Sequence, residues 1–157
     1  DTDSGVGEGV EVGASESIVA VLSKEITELS DKSQTIYVYC RSGNRSKQAA
    51  EKLAADGINA EVINVHTVKP LDVDAVIASA AKTGRVFTVE EHFIVGGLGS
   101  AVAETITDAP ASVLDKRVQV TRIGINDQFG QSGSAGALMK HYKLDADGIY
   151  EQIKAAL

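Results

Sequence analysis

The segment from Cys40 to Arg45 combines a nucleophile with positive charge. It follows a β-branched and aromatic run, Thr35–Tyr39, that predicts a strand, and it precedes a run that predicts a helix. The first amide N–H groups of such a helix have no partners within it, so they and the helix dipole favour a negative charge in the loop. A thiolate, a persulfide or a bound oxyanion fits that environment. Cys40 is therefore the candidate nucleophile, and the candidate anion-binding residues are Arg41, Ser42, Gly43, Asn44 and Arg45.

Polar residues also follow three other predicted strands, at His66-Thr67, Glu91-His92 and Asn126-Asp127. Parallel strands bring their carboxyl ends to one edge of a sheet, so we expect these residues to share an edge with the Cys40 loop. Glu90 and Glu91 are adjacent in a strand and should point to opposite faces. The histidines lack ligand spacing, so we predict no metal site.

A glycine-rich run, Gly96-Gly97-Leu98-Gly99, precedes another predicted helix. Glycines before a helix can cradle a phosphate. This run lacks the spacing and the acidic partner of a dinucleotide-binding loop. Close packing between helix and sheet explains it better, and we predict no cofactor.

The elements that must position these residues alternate along the chain. Strands are predicted at 35–39, 60–66, 85–90 and 118–123. Helices are predicted at 45–56, from Asp72 to Gly84, and at 98–107, 134–142 and 145–156. An earlier helix is expected to begin at Ser17, because apolar residues recur at helical spacing from Ile18 to Leu29. This alternation predicts an α/β fold of three layers, with helices on both faces of a mostly parallel sheet of four to five strands (α/β/α).

Length and charge limit the class of protein. The 157 residues suffice for one domain, so residues 1–157 are expected to form a single α/β domain. A net charge of −7 argues against a nucleic-acid partner. One cysteine excludes an internal disulfide, and no apolar run has membrane-spanning length. We therefore expect a cytoplasmic protein with no membrane partner.

The string from Tyr37 to Ser46 resembles the active-site strand, loop and helix of single-domain rhodaneses, and the likeness extends back to about Ala14. In that family the cysteine accepts sulfane sulfur, so the resemblance implies that Cys40 would take sulfur from thiosulfate. Low-molecular-weight and dual-specificity phosphatases place the arginine one residue further from the cysteine, so the position of Arg45 favours sulfur transfer. The chain lacks the Asp-x-Arg motif that rhodaneses carry ahead of the loop, which favours a loop without turnover.

From about residue 50 the chain resembles the C-terminal domain of transketolase, deoxyxylulose phosphate synthase and the pyruvate dehydrogenase beta subunit. The matching strings are Val62–Asp72, Thr88–His92, Gly96–Val102, Arg122–Gly124 and Phe129–Gly133, and the opening Gly7–Val12 matches the lead-in strand. In those enzymes this domain contributes to dimer packing and to the outer wall of the substrate cleft. Thiamine diphosphate is bound by other domains, whose Gly-Asp-Gly signature is absent here. The resemblance therefore implies a homodimer and no thiamine-dependent catalysis by this chain alone.

The two resemblances meet inside one predicted domain. It would consist of a lead-in arm (1–13), a rhodanese-like segment (14–50) and a transketolase-like segment (50–157). We interpret the chain as an engineered chimeric scaffold without established catalysis, whose Cys40 loop binds a small anion such as thiosulfate, sulfate or phosphate. Two alternatives stay open, namely a thiosulfate sulfurtransferase that uses Cys40, and a dimerisation or interaction module.

Overall fold

A computed structural model of the chain describes residues 17–18, 34–39 and 44–157. Within these ranges there is one five-stranded sheet, made of β1 (Ser17–Ile18), β2 (Gln34–Tyr39), β3 (Ala60–Asn64), β4 (Arg85–Phe93) and β5 (Gln119–Ile125). The helices are α1 (Asn44–Ala55), α2 (Val73–Thr83), α3 (Leu98–Asp108), α4 (Ala135–His141) and α5 (Ala146–Ala155). All elements predicted from residue 34 onward are present, with small shifts of their bounds.

Four of the five strands run parallel, so their carboxyl ends lie at one edge of the sheet. β2 pairs with β4, and β4 pairs with β5. β3 pairs with the start of β2, where Gln34 lies opposite Ala60. β1 is antiparallel to β2 and pairs with its end, where Ser17 lies opposite Tyr39. The predicted edge of strand ends is therefore confirmed for β2 to β5.

Helices cover both faces of the sheet, which confirms the three-layer α/β/α fold. Neighbouring β4 residues alternate between the faces, as the pleat of a strand requires. Phe87 belongs to the core on one side, and Val86 to the core on the other. The first core includes α1 and α5 and contains Ala49, Ala50, Leu53, Ala60, Val62, Phe87, Val89, Ile123, Leu144, Ile149 and Ile153. The second includes α2 and α3 and contains Val65, Val76, Ala80, Val86, Leu98 and Val102.

Predicted capping residues define several helix ends. The Asp72 carboxylate accepts a hydrogen bond from the Ala75 amide at 3.1 Å, and the Asp145 carboxylate accepts one from Gly148 at 3.0 Å. Each cap satisfies an amide that has no partner inside its helix. Gly84 ends α2 with a φ of +69°, a conformation that favours glycine. Among the described helices, none combines the length and apolar character needed to cross a membrane.

One sequence prediction is wrong at the start of the described chain. Ser17 and Ile18 were expected to open a helix, but they form β1. A short apolar run fits the period of a strand as well as that of a helix, and pairing with β2 decides between them. The rest of that predicted helix and the lead-in arm at 1–13 lie outside the described residues.

Candidate functional site

The candidate site is the carboxyl edge of the sheet, which we define as the ends of β2, β4 and β5 with the loops that leave them. β2 ends at Tyr39 and α1 begins at Asn44, so the predicted strand and helix flank the cysteine loop on both sides. Cys40, Arg41, Ser42 and Gly43 lie outside the described residues. Asn44 is the first residue of α1. Arg45 is the predicted anion-binding residue whose side-chain contacts are described.

Arg45 connects α1 to β4, to α4 and to the segment between α4 and α5. Its Nη2 donates a hydrogen bond to Glu91 Oε2 at 2.9 Å, and its Nη1 donates to the Leu144 carbonyl at 3.1 Å. Nη1 also contacts Sδ of Met139. The Arg45 side chain is 22% exposed and that of Glu91 is 41% exposed. Because solvent screens the ion pair, its contribution to the free energy of unfolding is about 0.2–1 kcal/mol. Anion binding by Arg45 stays a prediction.

Glu90 and Glu91 differ completely in environment, as expected for adjacent residues of one strand. Glu91 is exposed and faces Arg45, whereas Glu90 is buried. The Glu90 carboxylate accepts hydrogen bonds from the amides of Leu98, at 2.7 Å, and Gly99, at 2.9 Å. A negative charge at this position satisfies two amides of the first turn of α3 and is favoured by the helix dipole. Glu90 therefore holds the start of α3 against the end of β4.

Close packing accounts for Gly97 and Gly99, as predicted, whereas Gly96 has a φ of +79° and an added Cβ there would meet nothing within 4 Å. A Cβ on Gly97 would lie 2.0 Å from Glu90 Oε2 and 2.9 Å from His92 Nδ1. A Cβ on Gly99 would lie 2.7 Å from Oγ1 of Thr88. The amides that would cradle a phosphate here already donate to Glu90. Gly97 and Gly99 therefore allow the close contact between α3 and the sheet.

The histidines are dispersed over the molecule. His92 lies at the end of β4, and its Nδ1 is 2.8 Å from the Phe93 carbonyl oxygen, which can only accept a hydrogen bond. His66 lies beside the amide of Asn64, at 3.2 Å, after the end of β3. His141 ends α4. In the part of the chain that the structure describes, no three His, Cys, Asp or Glu side chains are grouped so as to bind a metal ion.

Three apolar side chains at the carboxyl edge are exposed, and we call them the edge hydrophobics. They are Phe93 (40% exposed), Val95 (62%) and Phe129 (96%). Phe93 lies opposite Ile125 in β5, and Phe129 follows in the loop that leaves β5. Exposed aromatic side chains are typical of protein–protein contact surfaces. Among the described residues, the edge hydrophobics are the large apolar side chains that this edge exposes to solvent.

Two features of the carboxyl edge were not predicted from the sequence, namely the contacts of Glu90 and those of Arg45. The hydrogen bonds of Glu90 to α3 had a local signal, an acidic residue at a strand end that is followed by two glycines and a helix. The contacts of Arg45 had none, because Met139 and Leu144 are 94 and 99 residues away in sequence.

Comparison with known proteins points to one family. The family model described as "Transketolase, C-terminal domain" matches residues 30–149. That range begins before β2, so it includes the strand, loop and helix around Cys40 as well as everything up to α5. These findings do not support a rhodanese-derived segment or a chimera.

Several curated proteins are similar to the chain over most of its length. The "Putative transketolase C-terminal section" of Methanocaldococcus jannaschii is 44% identical over 106 residues, which are 68% of this chain and 31% of that protein. An apulose-4-phosphate transketolase subunit of Phocaeicola vulgatus is 38% identical over 129 residues, which are 82% of this chain and 39% of that protein. The chain thus spans well under half of the length of these relatives.

A solved structure shares the fold. It is titled "Split gene transketolase, inactive beta4 tetramer" and matches with a TM-score of 0.67 at 33% identity. The match covers 81% of this chain and 39% of that one. Fold and sequence comparisons therefore agree.

Proposed function

The chain belongs to the transketolase C-terminal domain family, and we propose that it is the assembly domain of a thiamine-dependent, transketolase-type enzyme. In this role it binds other protein subunits through the carboxyl edge of its sheet. The chemistry on thiamine diphosphate is carried out by residues outside residues 1–157.

The observation that carries the proposal is the similarity to a split-gene transketolase chain whose structure is titled an inactive tetramer. The relative from Phocaeicola vulgatus is named a subunit, and the one from Methanocaldococcus jannaschii is named a C-terminal section. In these proteins, related sequences are thus named as parts of larger enzymes. By analogy, we propose that this chain is also one part of such an enzyme and serves its assembly.

The edge hydrophobics support assembly at the carboxyl edge. Phe129 is 96% exposed, and an aromatic side chain of that size gains free energy when a partner removes it from water. The Tyr142 hydroxyl accepts a hydrogen bond from the Gln131 amide at 2.8 Å, which ties the loop that carries Phe129 to the end of α4. Phe129 is thus presented by a loop with a fixed anchor, and such preorganisation favours binding.

Sedimentation velocity over a range of concentrations tests the assembly role. We expect the chain to self-associate, and we expect Phe129→Ser to weaken that association. Val113→Ser is the matched control, because Val113 is also an exposed apolar residue, at 49%, but lies outside the carboxyl edge. A chain that stays monomeric at all concentrations, or a loss of association with the Val113 variant alone, contradicts the proposal.

Calorimetry with thiamine diphosphate and Mg²⁺ tests whether the chain alone binds the cofactor. The sequence contains no Gly-Asp-Gly string, so we expect no heat of binding from the chain alone. Saturable binding of the cofactor to the chain would overturn this part of the proposal.

Sulfur transfer by Cys40 is the second candidate function. The observation that favours it is that β2 ends at Tyr39 and α1 begins at Asn44, so that in the sequence Cys40 directly follows a strand and comes four residues before the first residue of a helix. The Cys40 thiolate would attack the outer sulfur of thiosulfate, form an S–S bond and release sulfite. The origin of residues 14–50 from a rhodanese, and with it the engineered chimera, stays a prediction.

Intact mass spectrometry tests this second candidate. After incubation with thiosulfate, we expect a gain of one sulfur, about 32 Da, that is absent from Cys40→Ser. An unchanged mass of the wild-type chain rejects sulfur transfer and leaves the assembly role untouched.

A further inference from the structure

A groove opens on the face of the molecule that α2 and α3 cover. Its volume is about 570 Å³, within the range of ligand-binding clefts. Apolar residues from both helices and from the segment after α3 line it, including Val73, Ile77, Pro110 and Val113. Val73 and Val113 are half exposed, at 48% and 49%. None of the lining residues belongs to the carboxyl edge, so the groove is separate from the proposed assembly surface.

Two carboxylates and no cationic side chain line the groove. They are those of Asp74, in the first turn of α2, and Asp108, the last residue of α3. Asp74 is favoured by the dipole of its own helix, but Asp108 lies at the negative end of α3, where a carboxylate is disfavoured. The last turn of α3 has no basic residue. The helix dipole therefore accounts for the presence of a carboxylate at Asp74 but not at Asp108.

We propose that this groove docks a short segment of another protein in which apolar side chains are flanked by lysine or arginine. The apolar side chains enter between α2 and α3, and the cations pair with Asp74 and Asp108. Cations at Asp108 also meet the negative end of the α3 dipole. Docking here goes beyond the proposed assembly role, because it adds a second binding surface.

Charge distinguishes this occupant from the alternatives. A second copy docking groove to groove would bring four carboxylates together, and the chain as a whole carries a net charge of −7. An anionic membrane surface is repelled by the same carboxylates. A basic, apolar segment is the occupant whose charge complements the groove, and complementary charge also speeds encounter.

Fluorescence anisotropy with a labelled peptide tests the proposal. The probe carries leucines between pairs of lysines, and its counterpart carries glutamates in place of the lysines. We expect saturable binding of the lysine peptide only, with affinity that falls as salt rises. The double variant Asp74→Asn/Asp108→Asn should bind about tenfold more weakly, since two exposed ion pairs are lost.

Two further variants keep the test specific. Glu51→Gln/Asp115→Asn removes the same charge from exposed residues that do not line the groove, and it should bind the probe like the wild type. Ala78→Gln leaves the charge unchanged but fills the groove from the exposed side of α2, and it should weaken binding. No saturable binding of the lysine peptide, or equal losses in both charge variants, overturns the proposal. Self-association that Ala78→Gln abolishes also overturns it, because the occupant is then a second copy.

Discussion

The Glu90 carboxylate accepts a hydrogen bond of 2.7 Å from the Leu98 amide and so fastens the first turn of α3 to the end of β4. The second oxygen accepts from Gly99 at 2.9 Å. Because Glu90 is buried, water cannot replace it as an acceptor without opening the structure. Both of these first-turn amides therefore rely on one side chain for their hydrogen bonds.

Replacing Glu90 by glutamine should lower the free energy of unfolding by about 1–3 kcal/mol. Glutamine keeps one acceptor oxygen but turns an NH2 group toward an amide that also donates. Urea unfolding followed by circular dichroism measures the change. Glu91→Gln is the matched control, and we expect it to cost less than about 1 kcal/mol, since it removes only a partly exposed ion pair. Equal losses in the two variants would contradict the role given to Glu90.

Replacing Gly97 by alanine should destabilise the fold by about 1–3 kcal/mol. The added Cβ would lie 2.0 Å from Glu90 Oε2, so the carboxylate or the loop must shift. Gly136→Ala in α4 is the control, because a Cβ there meets nothing within 4 Å and alanine favours a helix. The effects of Gly97→Ala and Glu90→Ala should be non-additive, because both act on one contact. Strict additivity in a double-mutant cycle would rule this explanation out.

Replacing Lys143 by glycine should stabilise the fold by about 0.5–1 kcal/mol. Lys143 has a φ of +54°, in the left-handed region that favours glycine. Its side chain pairs with Glu151 only at 3.7 Å, and both are 63% exposed, so losing the pair costs little. Thermal unfolding measures the change, with Lys140→Gly inside α4 as a control that should be destabilised. A lower melting temperature for Lys143→Gly would refute the argument from strain.

Stability should depend on pH through Asp56, which follows α1 and contacts α5. Hydrogen bonds from Lys154, and then from Tyr150, hold the pKa of Asp56 below its ordinary value of 3.8. A lowered pKa in the folded state stabilises it above 3.8, and this contribution is lost as the pH falls through the folded-state pKa. The same contact with Asp56 raises the pKa of Lys154 above 10.5, so that contribution is lost as the pH rises through the raised value.

The melting temperature of Asp56→Asn checks this dependence. The variant should melt below the wild type at neutral pH, and the gap should close in acid, once the pH has fallen through the lowered folded-state pKa of Asp56. Because the groups are exposed, the gap should be small and should shrink in high salt. Lys154→Gln should produce a similar gap at neutral pH. A gap that persists unchanged in acid would show that Asp56 acts by packing and not by charge.

Most of the fold could be predicted from local sequence, because each helix and strand from residue 34 onward carries its own signal. Asp72, Gly84 and Asp145 cap or end helices where the sequence placed them. β4 extends three residues further than predicted, to Phe93, since Glu91 and His92 are polar and exposed. A polar strand end has no alternating apolar pattern to reveal it.

The contacts within the site were harder to predict than the elements that carry it. The shared edge followed from parallel strands, and the opposite faces of Glu90 and Glu91 followed from the pleat. The partners of Arg45 depend on how the end of the chain packs against α1, which no local pattern encodes. The family of residues 37–46 was also hard to predict. This string resembles rhodaneses locally, whereas the transketolase C-terminal model matches without a break from residue 30 to residue 149.

The ion pair between Arg45 and Glu91 makes Glu91 a built-in competitor for any anion that uses Arg45. The Glu91 carboxylate is held 2.9 Å from the guanidinium and acts as an intramolecular ligand at high effective concentration. An oxyanion that binds the same Nη2 group of Arg45 would displace the Glu91 carboxylate, so binding of such an anion and the tie between α1 and β4 oppose each other. Neutralising Glu91 would therefore relieve the competition and tighten binding of such an anion, at the expense of that tie.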